Sequence, residues 1–264
     1  MGTRLAWVVI WFLSVVVPVC AEPLVIAASP SLAAPLEALG RAFEAAHPDV
    51  QVKIYFDSGL DLRRAIGAIQ NDGRHMMGAG VIHLVAPASD ELLDRLEQKY
   101  YVLPETRRAY ALTRLVLVVP ESLADAPGSF ESLAAQPGLR VAMADPHDTE
   151  LGRSTRQLFD ALGLSSSLKE RLDVAADARA VLDHVLNGQA DVGVVFSADA
   201  VRERERVRIV VTSRHAAVPP VQHSMTMDRF CPDRRLCQQF LDFTQTTQAQ
   251  AALRQLGYEP ASAP

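Results

Sequence analysis

From Leu24 onward, short apolar β-rich runs alternate with stretches whose apolar residues recur at helical spacing, and this alternation limits the chain to few architectures. Leu24-Val25-Ile26-Ala27-Ala28 reads as a buried strand. The following stretch, Leu32 to Ala46, sets Leu32, Leu36, Leu39 and Phe43 on one face and stops at His47-Pro48. The same reading gives strands over 50–56, 81–86, 112–120, 140–144, 192–196, 207–212 and 221–227. It gives helices over 60–70, 90–99, 129–135, 152–162, 178–186, 234–244 and 247–255. Strand–helix alternation predicts an α/β fold of mostly parallel sheets covered by helices on both faces. Such sheets take ligands at the carboxyl ends of their strands, beside helix N-termini. The apolar run Leu112 to Pro120 divides two similar α/β stretches with no Pro/Gly/Ser-rich linker between them. That pattern predicts two lobes tied by extended hinge strands: 22–111 as the first part of lobe one, 112–220 as lobe two, and 221–264 returning to lobe one.

The N-terminus predicts export. Residues 1–4 carry one positive charge, Leu5 to Val17 is an unbroken apolar run, and Pro18-Val19-Cys20-Ala21 follows. A basic start, a short apolar stretch and small residues at −3 and −1 make 1–21 a secretory signal peptide, with cleavage between Ala21 and Glu22 and a periplasmic product. The run is too short for a comfortable membrane span. The competing reading makes Cys20 a lipid-anchored N-terminus; Pro18 and Val19 fit poorly before such a cysteine.

Without the leader two cysteines remain, Cys231 and Cys237. An even pair in an oxidising compartment reads as a disulfide closing a short loop. A metal site is the alternative, but no further His or Cys lies close by at zinc spacing. The formal net charge of −5, one unit lower without Arg4, argues against nucleic acid or an anionic membrane surface as partner.

The residues that carry chemistry stand at strand-to-helix turns: Ser29-Pro30-Ser31, Asp57-Ser58-Gly59, Asp148-Thr149-Glu150-Leu151-Gly152 and Ala175-Ala176-Asp177. Any one such Ser or Asp serves most simply as a helix cap. Several helix N-termini converging on one cleft, however, hold an anion with unpaired N–H groups and no Lys or Arg. The seven histidines are scattered, with no His-Glu-x-x-His, Gly-x-Ser-x-Gly or phosphate-loop pattern. Asp145-Pro146-His147-Asp148 reads as a loop after a strand. The chain is therefore expected to be a binding protein, not an enzyme, with no cofactor and no direct cation site, although a metal oxyanion is a fitting ligand.

Ala27-Ala28-Ser29-Pro30-Ser31-Leu32, Phe56-Asp57-Ser58-Gly59, Leu115-Val116-Leu117-Val118-Val119-Pro120, Val141-Ala142-Met143-Ala144-Asp145-Pro146, Asp191-Val192-Gly193-Val194-Val195-Phe196 and Leu253-Arg254-Gln255-Leu256-Gly257-Tyr258 occur in this order. The series resembles the periplasmic molybdate-binding proteins of ABC importers, in the type II solute-binding family, with this chain a divergent member. The resemblance implies two α/β lobes closing over a tetrahedral oxyanion, molybdate- or tungstate-like, and delivery by a monomer to an ABC permease. It implies Ser31 as the first-lobe hydroxyl, Gly59 with Ser58 before it at the second position, and the N–H groups of Leu151 and Ala178 in the other lobe. The family's tyrosine falls on Phe196. Gly59 and Phe196 each lack the family hydroxyl, Asp57 adds a carboxylate, and Gly80-Val81-Ile82-His83-Leu84-Val85 replaces the strand that carries a family aspartate. Arg153, in the first turn of its helix, is the candidate for compensating charge. The alternative function is a sensing or interaction module on the same fold, reading a different small organic or inorganic anion.

Overall fold

The computed structural model describes residues 23–56 and 82–261. The leader, Cys20, the expected helix over 60–70, and Asp57, Ser58, Gly59 and Val81 lie outside them.

The strands form two sheets. The first contains β1 (Leu24–Ala28), β2 (Val52–Phe56), β3 (Leu84–Ala86), β4 (Val102–Thr113), β10 (Val221–Asp228) and β11 (Glu259–Pro260), in the order β11-β4-β10-β3-β1-β2. The second contains β5 (Leu115–Pro120), β6 (Val141–Ala144), β7 (Leu172–Ala175), β8 (Val192–Phe196) and β9 (Val207–Thr212), in the order β7-β6-β8-β5-β9. Helices α1 (Ala33–Ala46), α2 (Asp90–Gln98), α3 (Glu150–Ala161), α4 (Ser165–Leu168), α5 (Ala178–Leu186), α6 (Ser197–Arg202), α7 (Arg234–Phe243) and α8 (Thr247–Gln255), with 3-10 turns at Pro30–Leu32, Glu131–Ala135 and Lys169–Arg171, complete the described elements; the helix expected over 129–135 is the second of these 3-10 turns.

The sheets are mixed, which corrects the mostly parallel expectation. β1 pairs in parallel with β2 and β3, and β6 with β7 and β8. β10 runs antiparallel to β3 and β4, and β5 antiparallel to β8 and β9. Strands arriving from the other sheet need no crossover helix, so nothing forces them to be parallel. The expected strand over 112–120 is two strands in different sheets, divided at Arg114. β4 escaped notice because Pro104, Glu105, Arg107 and Arg108 break its apolar run.

Each sheet has its own core. In the first, Leu36, Leu39 and Phe43 of α1 are wholly buried, and Phe43 packs edge-on against Phe240 and Phe243 with ring centroids 5.0 and 5.3 Å apart. In the second, Val116, Val118, Val141, Val192 and Val194 of the sheet bury against Leu158 of α3 and Val181 of α5. Truncating a buried aromatic such as Phe43 to Ala costs about 3–5 kcal/mol.

The two sheets meet at a polar junction. The carbonyl of Arg114 accepts the N–H of Ser197, and the Arg114 guanidinium pairs with Glu259 at 2.8 Å. The Ser197 hydroxyl donates to the Gly257 carbonyl at 2.7 Å and lies 3.1 Å from Thr113 Oγ1. In α6, Ala198 belongs to the first core and Ala200 to the second.

Candidate functional site

In the second sheet, Ala144 at the end of β6 is register partner of Ala175 at the end of β7. Adjacent strands lie about 4.8 Å apart, so the turns leading into α3 and α5 rise side by side. Thr149 caps α3, its hydroxyl accepting the Gly152 N–H at 2.9 Å and donating to the Asp145 carbonyl at 2.7 Å. Asp177 caps α5, accepting the Ala180 N–H at 2.9 Å. The Arg153 and Val181 N–H groups go to the Thr149 and Asp177 carbonyls. The first two N–H groups of each helix, those of Glu150 and Leu151 and of Ala178 and Arg179, have no acceptor among the described residues. Two neighbouring pairs of free donors, each at the positive end of a helix dipole, form an anion-receptive edge.

Gly152 makes the α3 approach possible. A Cβ there would stand 2.4 Å from the Ala144 carbonyl oxygen and from backbone atoms of Asp145. The helix start is thus pressed onto the strand end, a distance only glycine allows.

In the first sheet, Ala28 aligns with Phe56 and Ala86, so three strands end level. Buried Ser29 braces the edge: its N–H donates to the Ala86 carbonyl at 3.1 Å and its hydroxyl accepts the Ala88 N–H at 2.9 Å. Ser31 sits in the single 3-10 turn Pro30–Leu32 before α1, exposed. The division of labour is clear between the two serines: Ser29 builds the turn, Ser31 faces out from it. Phe56 is the last described residue of β2, so Asp57, Ser58 and Gly59 follow that strand directly in the chain but outside the described residues.

Phe196 ends β8 opposite Leu115, half-buried. Its ring joins the margin of the second core. Arg153 is turned to solvent, its Nη2 2.8 Å from Glu150 Oε2 with both side chains more than half exposed. Asp145 accepts the His147 N–H at 2.7 Å, so the Asp145–Asp148 segment is a self-braced turn after β6. Cys231, in the loop after β10, is bonded to Cys237 of α7. Among the described residues no cluster of His, Cys, Asp and Glu could hold a metal ion.

A cavity of about 410 Å³ opens beside this junction, between Ala34 of α1, Ala198 and Arg202 of α6, and Gln255 and Tyr258. None of the sequence-derived binding residues lines it. Sequence reasoning also missed Ser29 as a brace, the Ser197 hub, and the Pro87–Ser89 turn at the same edge of the first sheet. The last had a readable signal: Ser89-Asp90-Glu91 is a helix start with acid in its first turn, and Ser89 does accept the Leu92 N–H.

Residues 24–259 match a family model described as bacterial extracellular solute-binding protein. The molybdate-binding protein ModA of Mycobacterium tuberculosis is 26% identical over 239 residues, 90% of this chain and 85% of that protein. A Bacillus subtilis protein, YvgL, described as an ABC transporter substrate-binding lipoprotein, is 23% identical over 235 residues, 89% and 85% of the two chains. Among solved structures, one described as the substrate binding domain of a molybdenum ABC transporter from Clostridium difficile superposes with a TM-score of 0.81 at 18% identity. It covers 91% of this chain and 99% of that one.

Proposed function

The chain belongs to the family of bacterial extracellular solute-binding proteins and has the type II periplasmic binding fold, and from that premise we propose that it carries a small oxyanion, molybdate- or tungstate-like, to the permease of an ABC importer. The observation that carries this reading is the pair of helix N-termini side by side at Ala144 and Ala175, with the N–H groups of Leu151 and Ala178 free of acceptors among the described residues. By the family pattern, the Ser31 hydroxyl and Ser58-Gly59 supply the first-lobe contacts in this reading. The anion is held by hydroxyls and backbone N–H groups, with Arg153 left in its surface pair. The open protein takes the anion on the first lobe. The second lobe then swings in on the hinge at Arg114 and Ser197, and the ligand's preference for the closed state drives the shift. In this reading the protein works as a periplasmic monomer, exported through residues 1–21.

A second reading, a sensor of a different small anion on the same fold, draws on Phe196 and Gly59, which offer fewer hydroxyl donors than the family pattern. Thermal-shift titration with molybdate, tungstate, sulfate, phosphate and small organic acids separates the two, since a ligand of the native state raises the melting temperature with its concentration. A rise with molybdate or tungstate that Ser31→Ala reduces supports the first reading. A rise only with organic acids supports the second, and unchanged affinity in Ser31→Ala for every oxyanion would overturn the site.

A further inference from the structure

At the opposite end of the first sheet the structure presents a different surface. Tyr100 and Phe230 are 70% and 55% exposed, and they belong to adjoining loops. The Arg229 N–H donates to the Tyr101 carbonyl at 3.1 Å, and the Arg229 guanidinium donates to the Tyr100 carbonyl at 3.3 Å. Tyr100 holds φ at +56°, a left-handed conformation unusual for a bulky side chain. Phe230 is fixed from the other side: its N–H donates to Asp228 Oδ1 at 2.8 Å, and the next residue, Cys231, is tied to Cys237. Two large aromatic rings are thus held out in water by a braced backbone.

The charge around them is mostly positive. Lys99, Arg229, Arg234 and Arg235 are exposed, and none is in an ion pair among the described residues. Of the nearby acids, Glu97 pairs with Arg107 at 3.2 Å and Asp228 is buried, while the exposed Asp233, whose Oδ1 accepts the Leu236 N–H, leaves the four cations in excess. A chain with a net charge of −5 therefore carries an unpaired cationic and aromatic patch. The whole-chain charge that argued against an anionic surface does not describe this face.

Its position names the occupant. Asp228 N–H bonds to the His83 carbonyl, and His83 N–H to the Val25 carbonyl, so the patch lies at the end of the sheet where the chain enters β1. We propose that Lys99, Tyr100, Arg229, Phe230, Arg234 and Arg235 form a seat for an anionic phospholipid bilayer. Aromatic rings settle at the headgroup level and cations pair with lipid phosphates. Seated this way, the protein turns the Ser31 edge towards the solute for loading, and it leaves the seat to meet the permease. In a chain anchored at Cys20, the four residues to Leu24 reach at most about 14 Å, which keeps this end of the sheet within reach of the lipid. In a chain cleaved after Ala21, the patch alone gives reversible binding.

The test is co-sedimentation of the protein from Glu22 onward, which includes every described residue, with vesicles of phosphatidylcholine alone or with 30% phosphatidylglycerol added. Anionic vesicles at 50 mM salt are expected to bind at least about tenfold more protein than neutral ones, with the excess lost at 500 mM. Tyr100→Asn with Phe230→Ser, and separately Arg229→Glu with Arg235→Glu, are expected to cut binding about tenfold with unchanged melting temperature; Arg204→Glu with Arg206→Glu is the charge-matched control. The proposal is overturned by absence of binding, by equal binding to both vesicles, or by a control that loses as much as the patch variants. It is equally overturned if the patch variants abolish a dimer formed without lipid, which would make a second copy the occupant.

Discussion

The hydroxyl of Ser197, the first residue of α6, donates a 2.7 Å hydrogen bond to the carbonyl of Gly257, 60 residues further along the chain. It joins the end of β8 in the second sheet to the segment that precedes β11 in the first. Ser197→Ala leaves the Gly257 carbonyl and Thr113 Oγ1 short of a partner at a half-buried site. The expected loss is about 1–2 kcal/mol, a few degrees in melting temperature for a chain of this size. Equal unfolding midpoints for variant and parent in urea would remove the hinge role assigned to this hydroxyl.

Gly152→Ala tests the fit of α3 on β6. Its Cβ would meet backbone atoms at 2.4 Å, and backbone cannot swing aside as a side chain can. The helix start must back away, costing about 1–3 kcal/mol and carrying the Leu151 N–H out of place. Calorimetry should show lower stability together with weaker oxyanion binding. Gly138→Ala, where nothing lies within 4 Å of the new methyl, serves as the neutral comparison.

Phe196→Tyr restores the hydroxyl that the family pattern has at this position. Gain of one hydrogen bond to a charged ligand corresponds to about 1.5 kcal/mol or more, roughly tenfold in affinity. Isothermal titration with molybdate should show tighter binding. An unchanged or weaker constant would mean that Phe196 does not face the ligand.

Asp228 and His223 oppose each other in acid. Burial pushes the Asp228 carboxyl from 3.8 up to about 6, with the Phe230 N–H only partly offsetting it. The folded state therefore holds a proton that the unfolded chain releases. Stability from Asp228 is full below pH 3.8 and is lost as pH rises through 6, by about 3 kcal/mol. Burial pushes the His223 imidazole from 6.5 down to about 4, with Asp90 partly offsetting. Here the unfolded chain takes the proton, so stability is full above pH 6.5 and is lost as pH falls through 4, by a similar amount. Between pH 4 and 6 the two slopes cancel. Melting curves of Asp228→Asn should show a steeper loss of stability on acidification than the parent, and those of His223→Gln a shallower loss or a gain. Parallel pH profiles for all three proteins would contradict this account.

The elements with the strongest patterns were legible in the sequence. β1, α5, β8, β9 and α8 run over the residues that periodicity assigns, because each is an apolar run or stripe bounded by a capping or turn residue. What escaped was set by distant partners. β4 reads as polar because Arg107 pairs with Asp90, Asp94 and Glu97 of α2, contacts no local window reveals. Arg114 looks like one residue in a continuous strand, yet Glu259 and Ser197 make it the crossing point between sheets. At the candidate site, the turns at Thr149 and Asp177 were visible as helix starts. That they stand side by side follows only from the pairing of Ala144 with Ala175, and the bracing role of Ser29 only from its bond to Ala88.

The way the chain is divided between the sheets also governs the order in which they can form. All five strands of the second sheet lie within Leu115–Thr212, whereas the first sheet needs β10 and β11 from the last part of the chain to flank β4. The β4–β10 pairing closes a loop of about a hundred residues, with a correspondingly larger entropic barrier. The second sheet therefore serves as the early folding unit. The first is completed late, with its nascent β4 edge unpaired until the C-terminal residues arrive, and this interval is when the chain is most open to aggregation.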